Sequence, residues 1–167
     1  MILVKLDKSN IHVEKINNYW SMTEGAFNCL IDEERTESFK KAIKNTVKVG
    51  DIVVDIGSGS GVLAMLAADC GAKKVYAVEL DKRNIRTLSS TFKINNLDKK
   101  IIVLEGDVRN IKLPEKIDVI IGEMIATGLI EELQIPAMNN IIKYMPYIPT
   151  YLKNLYLKNQ ERKLKHA

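Results

Sequence analysis

Cysteine is scarce in this sequence of 167 residues. Its two cysteines, Cys29 and Cys70, match neither a zinc-binding spacing nor a disulfide framework, so we expect no metal centre. Long apolar runs are also missing, and no signal peptide opens the chain. These absences exclude a disulfide scaffold and a membrane-spanning protein, and they favour a reduced cytoplasmic protein with no membrane partner.

Internal repeats, low-complexity segments and Pro/Gly-rich linkers are missing too. With 46% hydrophobic and 28% charged residues, the chain has the composition of one globular domain with its own core. The net charge of +4 arises in the C-terminal segment, where residues 143–167 carry six Lys/Arg and one acid. We therefore expect a domain over residues 1–145 and, over 146–167, a basic Tyr/Lys-rich extension that is not a separate domain.

Short apolar runs of strand length alternate with helical patterns in the middle of the chain. The predicted strands are residues 52–56, 75–79, 101–105 and 117–121. Helical spacing covers residues 61–70, 82–95, 27–45 and 129–144. Near-continuous apolar strands separated by helices predict an α/β fold of Rossmann-like type, with a mostly parallel sheet and helices on both faces. Ligands of such sheets bind at the carboxyl ends of the strands.

A glycine-rich turn follows the first predicted strand. Gly57, Gly59 and Gly61 allow a tight strand-to-helix turn and the close approach of a ligand. A dinucleotide fingerprint would place its third glycine at the position of Val62, and the Gly-Lys-Ser/Thr of a P-loop is absent. The turn therefore disfavours NAD and nucleoside triphosphates.

Acidic residues lie at or near the ends of successive predicted strands. Glu79 is placed to accept hydrogen bonds from two ribose hydroxyls, and Asp107 to accept one from an adenine amino group. Each alone is equally consistent with a solvated strand end or a turn residue. Their ordered combination with Asp55 and the glycine turn is typical of S-adenosylmethionine binding in class I methyltransferases, and this cofactor is our prediction.

The segment NCLIDEERTESFKKAIKNTVKVGDIVVDIGSGSG resembles the cofactor-binding half of the protein arginine methyltransferases, which carry a similar D-x-x-R-T helix. The resemblance runs from about Tyr19 to Asn140. It implies that Arg35 binds the carboxylate of the cofactor, in agreement with the two parallel donors of a guanidinium. Without the resemblance, a surface ion pair with neighbouring acids would be the preferred interpretation of Arg35.

IDVIIGEMIATGLIEE resembles the double-glutamate loop of the same family, in which two acids nine positions apart hold the substrate guanidinium. Glu123 and Glu132 have that spacing. The resemblance therefore implies that both are catalytic residues. The alternative is that Glu131 and Glu132 are acids in the first turn of a helix, with Glu123 a solvated strand end.

Several features depart from that family. Residues 124–128 replace its aromatic channel residues, and His12 and His166 match no histidine-containing loop. We expect neither the substrate barrel nor the antiparallel strand pair that completes the methyltransferase sheet. The basic extension, with Tyr144, Tyr147, Tyr151 and Tyr156 among lysines, is open to three interpretations: an RNA-binding element, a final helix packed on the sheet or on a second subunit, or an altered gene end.

The sequence therefore predicts a methyltransferase that transfers a methyl group from S-adenosylmethionine to a nitrogen nucleophile. Its acceptor is open between a protein arginine, RNA and a small amine. An RNA methylase and a non-catalytic cofactor-binding module are the alternatives, and a homo-oligomer is one open arrangement.

Overall fold

The computed structural model describes residues 22–124 and 134–146. It contains helices α1 (Met22–Ile31), α2 (Glu33–Thr46), α3 (Val62–Asp69), α4 (Lys82–Ile94) and α5 (Gln134–Ile141), the last followed by a 3₁₀ turn (Ile142–Tyr144). The strands are β1 (Ile52–Ile56), β2 (Lys74–Glu79), β3 (Ile101–Glu105) and β4 (Val119–Gly122).

The four strands of this part of the chain form one sheet in the order β3-β2-β1-β4. All neighbouring pairs are parallel, and β1 pairs with β2 on one side and β4 on the other. The strand order therefore reverses at β1, which opens a crevice at its carboxyl end. The parallel α/β fold predicted from the sequence is confirmed.

Helices cover both faces of the sheet. One apolar cluster joins α2, α3 and α4 to one face, and its fully buried members include Val53, Val75 and Leu88. A second cluster packs α5 on the other face around Ile117 and Ile141, both 0% exposed. Burial on both faces explains why the strands have near-continuous apolar sequences. Across the helices of the described ranges, none has the length and apolar character to cross a membrane.

Two predicted elements begin at least two residues later in the structure than expected. The strand expected at residues 117–121 is β4, which starts at Val119, because the Ile117 N–H donates to the carbonyl of Tyr144 and Asp118 pairs with Ile52. The helix expected over 129–144 is observed from Gln134, and residues 129–133 lie outside the described ranges.

The single helix expected over residues 27–45 is wrong, since two helices meet at Asp32. Asp32 has extended backbone angles (φ −74°, ψ 94°), and its side chain accepts a hydrogen bond from the Arg35 N–H at 2.9 Å. A carboxylate at this position satisfies an N–H group in the first turn of α2 and favours a new helix start. The break orients α2 so that Arg35 reaches the carboxyl end of the sheet.

Candidate active site at the carboxyl end of the sheet

The glycine turn between β1 and α3 has the conformation that its composition predicts. Gly57, Gly59 and Gly61 have φ angles of 71°, 53° and 80°, in the left-handed region that favours glycine. At Gly61 space is also limiting, because an added Cβ would lie 2.6 Å from Cδ2 of Leu88. Gly61 is thus buried against α4, whereas Gly57 at the start of the turn is exposed at the reversal point of the sheet.

Two other segments lie against this turn. A Cβ added to Gly59 would lie 3.2 Å from Cβ of Ala26 on α1, and one added to Gly57 would lie 3.7 Å from Cγ of Met124 after β4. Helix α1 and the end of β4 therefore border the glycine turn. This position matches the expectation that an N-terminal helix packs beside the carboxyl ends of the strands.

Glu79, the last residue of β2, is 6% exposed and holds the turn in place. Its Oε2 accepts a hydrogen bond from the Gly59 N–H at 2.8 Å, and its Oε1 accepts from the N–H groups of Leu80 and Asp81, also at 2.8 Å. A carboxylate has about four acceptor positions, so these three donors leave one, on Oε2. Accepting from two ribose hydroxyls would therefore require exchange of the Gly59 hydrogen bond.

Asp107 lies two residues after the end of β3, and its carboxylate is bound by a residue that the sequence analysis missed. Arg109 donates to it from its backbone N–H (2.9 Å), from Nε (2.9 and 3.0 Å) and from Nη2. Hydrogen bonds from the Arg109 side chain hold the pKa of Asp107 below its usual value. The sequence signal for this pair is the Asp-x-Arg spacing, which lets the Arg109 side chain fold back onto the Asp107 carboxylate.

Asp55 is a buried acid behind the glycine turn. The residue is 1% exposed, and neither carboxylate oxygen has a hydrogen-bond partner in the described part of the chain. Burial raises the pKa of Asp55 to about 7. The nearby Ser58 hydroxyl and Ala64 N–H lower it in part, although neither forms a hydrogen bond with the carboxylate. The Ser58 hydroxyl donates instead to the Asp55 carbonyl at 3.1 Å. The carboxyl group thus lies below the first turn of α3 rather than on an open surface.

Arg35 and Glu123, which are 88 residues apart, form an ion pair at the end of β4. Arg35 Nη2 donates to Glu123 Oε2 at 3.0 Å, and Nη1 donates to the carbonyl of Cys29 at 3.1 Å. The guanidinium carbon lies 4.9 Å from the centre of the Phe39 ring, a cation–π arrangement. The residue predicted for the cofactor carboxylate thus contacts an acid predicted for the substrate.

The Cys29 thiol also faces Glu123, with Sγ 3.9 Å from Oε2. Burial raises the pKa of the Cys29 thiol, and the neighbouring Glu123 carboxylate raises it further. A thiol with a raised pKa is a poor nucleophile at neutral pH. Cys29 therefore borders the ion pair as a neutral side chain.

Several of the predicted functional residues lie outside the described ranges. Glu132, the histidines and residues 147–167 lie outside the described residues, so the predictions about them stay predictions. In residues 22–124 and 134–146, no group of three or more His, Cys, Asp or Glu side chains is arranged to hold a metal ion.

The groups at this edge fit an adenosyl cofactor. Glu79 at the end of β2 retains an acceptor position, with Asp107 after β3 on one side of it and the glycine turn after β1, where Gly57 is exposed, on the other. Arg35 supplies a guanidinium across the same edge.

The chain is similar to several known proteins. The family described as "Ribosomal protein L11 methyltransferase (PrmA)" matches residues 34–147. A Methanocaldococcus jannaschii protein, "Uncharacterized protein MJ1452", is 44% identical over 117 residues, which is 70% of this chain and 44% of that protein. The chain thus spans less than half the length of this relative.

Two solved structures share the fold. The crystal structure of Arabidopsis thaliana protein arginine methyltransferase 10 matches with a TM-score of 0.66 and 36% identity, over 72% of this chain and 35% of that one. The Trypanosoma brucei PRMT1 enzyme-prozyme complex with AdoHcy matches with a TM-score of 0.60 and 30% identity, over 71% of this chain and 36% of that one.

The family match covers more than half of the chain, and the sheet has the methyltransferase topology. The chain therefore belongs to the family described as ribosomal protein L11 methyltransferase (PrmA), and it resembles the class I, S-adenosylmethionine-dependent protein arginine methyltransferases.

Proposed function

We propose that this enzyme methylates a nitrogen nucleophile of guanidinium or amine type, with Glu123 binding the acceptor. The observation that carries the proposal is the contact between the Glu123 carboxylate and a guanidinium, that of Arg35, at 3.0 Å. A carboxylate that already binds this cation at the strand ends has the chemistry to bind an acceptor of the same kind. The arginine methyltransferases among the similar proteins support the same acceptor class.

The cofactor roles follow from the same edge of the sheet. The backbone of Gly57, Gly59 and Gly61 borders the cofactor, and Glu79 accepts from its ribose. Asp107 accepts from the adenine amino group, and Arg35 binds the carboxylate. Asp55 belongs to the proposed cofactor site through its position behind the glycine turn, where its buried carboxyl group lies below α3.

S-adenosylmethionine supplies the methyl group as a sulfonium. The protein has to align the acceptor nitrogen behind that methyl group and to stabilise the charge of the acceptor. Glu123, paired with Glu132 as the second acid of the loop, accepts hydrogen bonds from the acceptor cation. Since both acids bind through directed hydrogen bonds, they favour one position of the attacking nitrogen.

The test is incubation with methyl-labelled cofactor and separate fractions of protein, RNA and small amines. We expect the label in the protein or small-amine fraction, and loss of at least about tenfold in Glu123→Gln, because the variant loses a charge-assisted hydrogen bond to the acceptor. Glu37→Gln, the same change in an exposed ion pair on α2, is the matched control and should keep wild-type labelling.

Three results would contradict the proposal. Label confined to RNA would favour the RNA methylase, and no label in any fraction would favour the non-catalytic module. Equal labelling by wild type and Glu123→Gln would remove Glu123 from the acceptor site.

A further inference from the structure

A lysine lies at or shortly before the start of every strand of the described sheet. Because the strands are parallel, their amino ends meet at one edge, opposite the candidate active site. The Lys73 N–H, for example, donates to the carbonyl of Asp51, and the Lys100 carbonyl accepts from the Val75 N–H. The lysines of this basic edge are Lys48, Lys73, Lys74, Lys99, Lys100, Lys116 and Lys143.

The acids at the same edge are fewer than the lysines. They are Asp51, Asp69, Asp98, Glu115 and Asp118. Asp51 and Asp118 each accept a hydrogen bond from a backbone N–H group, at 2.7 and 2.8 Å. Glu115 pairs with Lys74 at 2.7 Å. The other lysines of the basic edge form no ion pair with an acid of the described ranges, so the edge keeps an excess of positive charge.

Some of these lysines also stabilise helix ends. Lys48, Lys100 and Lys116 each donate from Nζ to a carbonyl at the end of a helix or 3₁₀ turn, at 3.1 to 3.3 Å. Lysine is favourable there, since it binds carbonyls that the helix leaves unpaired. An ammonium group has three donors, so each keeps two for another partner. Lys73 and Lys99 are exposed and make no such contact in the part of the chain that the structure describes, so helix ends do not account for them.

The basic extension begins at this same edge. The carbonyl of Tyr144, close to the end of the described chain, accepts from the Ile117 N–H just before β4 at 3.1 Å. Residues 143–167 carry six Lys/Arg and one acid, with tyrosines among the lysines. The sequence therefore continues the positive charge of the basic edge into the extension.

We propose that the basic edge binds the phosphate backbone of single-stranded nucleic acid. This inference goes beyond the proposed function, because the bound strand is a partner and not the methyl acceptor. The basic edge lies at the opposite end of the strands from the candidate active site. A strand of five residues, such as β1, separates the two by about 16 Å.

The composition of the edge favours nucleic acid over an acidic protein. Protein interfaces are enriched in arginine and aromatic residues and depleted in lysine, whereas every cation of the basic edge is a lysine. An ammonium group binds phosphate as a point charge, without a fixed direction. The tyrosines of the extension have the chemistry to stack on unpaired bases, which favours a single strand.

The experiment is a fluorescence anisotropy titration of the 167-residue chain into a labelled oligouridylate of about 20 nucleotides, repeated at several salt concentrations. The readout is the slope of log K against log salt, to which each phosphate contact on a single strand contributes about 0.7. Lys73→Gln/Lys99→Gln should reduce the slope by about 1.4 and weaken binding about fivefold or more. Both side chains are exposed, so we expect the fold to tolerate the change.

Two further variants separate position from charge. Lys41→Gln/Lys82→Gln removes the same net charge at exposed positions on α2 and at the start of α4, and it should keep the wild-type slope. Lys73→Arg/Lys99→Arg retains both charges and should also bind as wild type does, because the contacts are made to phosphate charge.

Each contrary outcome overturns a stated part of the inference. No binding of oligouridylate by the wild type would overturn it entirely. A wild-type slope in Lys73→Gln/Lys99→Gln, or an equal decrease in Lys41→Gln/Lys82→Gln, would overturn the assignment to the basic edge. Displacement of the oligouridylate by polyglutamate at equal charge would replace nucleic acid by an acidic protein. Methyl labelling confined to RNA and lost in Lys73→Gln/Lys99→Gln would make the bound strand the acceptor.

Discussion

The buried carboxyl group of Asp55 predicts a pH dependence of stability that one substitution should remove. Its pKa of about 7, against an ordinary 3.8, means that the folded protein favours the protonated acid. Below pH 3.8 the group is protonated in both states and imposes no penalty. As pH rises toward 7 the unfolded chain ionises first, so the free energy of unfolding falls.

The magnitude follows from the difference in pKa. Each pH unit is worth about 1.4 kcal/mol, so ionisation in the unfolded state costs about 4 kcal/mol of stability once the pH exceeds 7. At pH 5 only part of this penalty is present. Between pH 5 and pH 8 it grows by about 2.5 kcal/mol. Asp55→Asn places a neutral side chain of nearly the same shape at this buried position, so its free energy of unfolding should not include this pH-dependent penalty.

The assay is urea denaturation followed by far-UV circular dichroism at pH 5, 6, 7 and 8. The quantity of interest is the difference in free energy of unfolding between Asp55→Asn and wild type at each pH, because the other titrating groups cancel in it. This difference should rise with pH in favour of the variant. Asp98→Asn, the same change at an exposed position, is the control for the substitution itself. A difference for Asp55→Asn that does not change with pH, or changes no more than that of the control, would refute the argument from burial.

Two further predictions concern the ligand and the turn. S-adenosylhomocysteine at a hundredfold excess over its dissociation constant should stabilise the wild type by about 2.7 kcal/mol and raise its melting temperature. Glu79→Ala, compared with its own ligand-free form, should largely lose this shift in melting temperature. A retained shift would contradict the proposed contact of Glu79 with the ribose. Glu105→Gln, at an exposed strand end, is the control. Gly61→Ala should cost about 2 kcal/mol more in chemical denaturation than Gly50→Ala. Both glycines have positive φ, but only the Cβ added at Gly61 meets side chains, those of Leu88 and Phe92. Equal costs for the two variants would show that these side chains move aside.

The local sequence determined the strands, the helices that follow them and the glycine turn. Residues 52–56 and 101–105 were predicted with the observed bounds, because a strand buried on both faces has a continuous apolar sequence. The turn was predictable because its positive φ angles, at three alternate residues, favour glycine. The helix boundary at Asp32 was missed although Asp is a preferred N-cap residue, since the apolar spacing continues across it.

What only the tertiary structure decided are the contacts between segments far apart in the chain. The ion pair of Arg35 with Glu123 joins α2 to the end of β4, and no local pattern encodes it. The isolation of the Asp55 carboxyl group likewise depends on the helix packed above β1, which removes water without supplying a hydrogen bond. Sequence periodicity reports which face of an element is buried, whereas the protonation and pairing of a charged group depend on whichever distant groups the fold brings next to it.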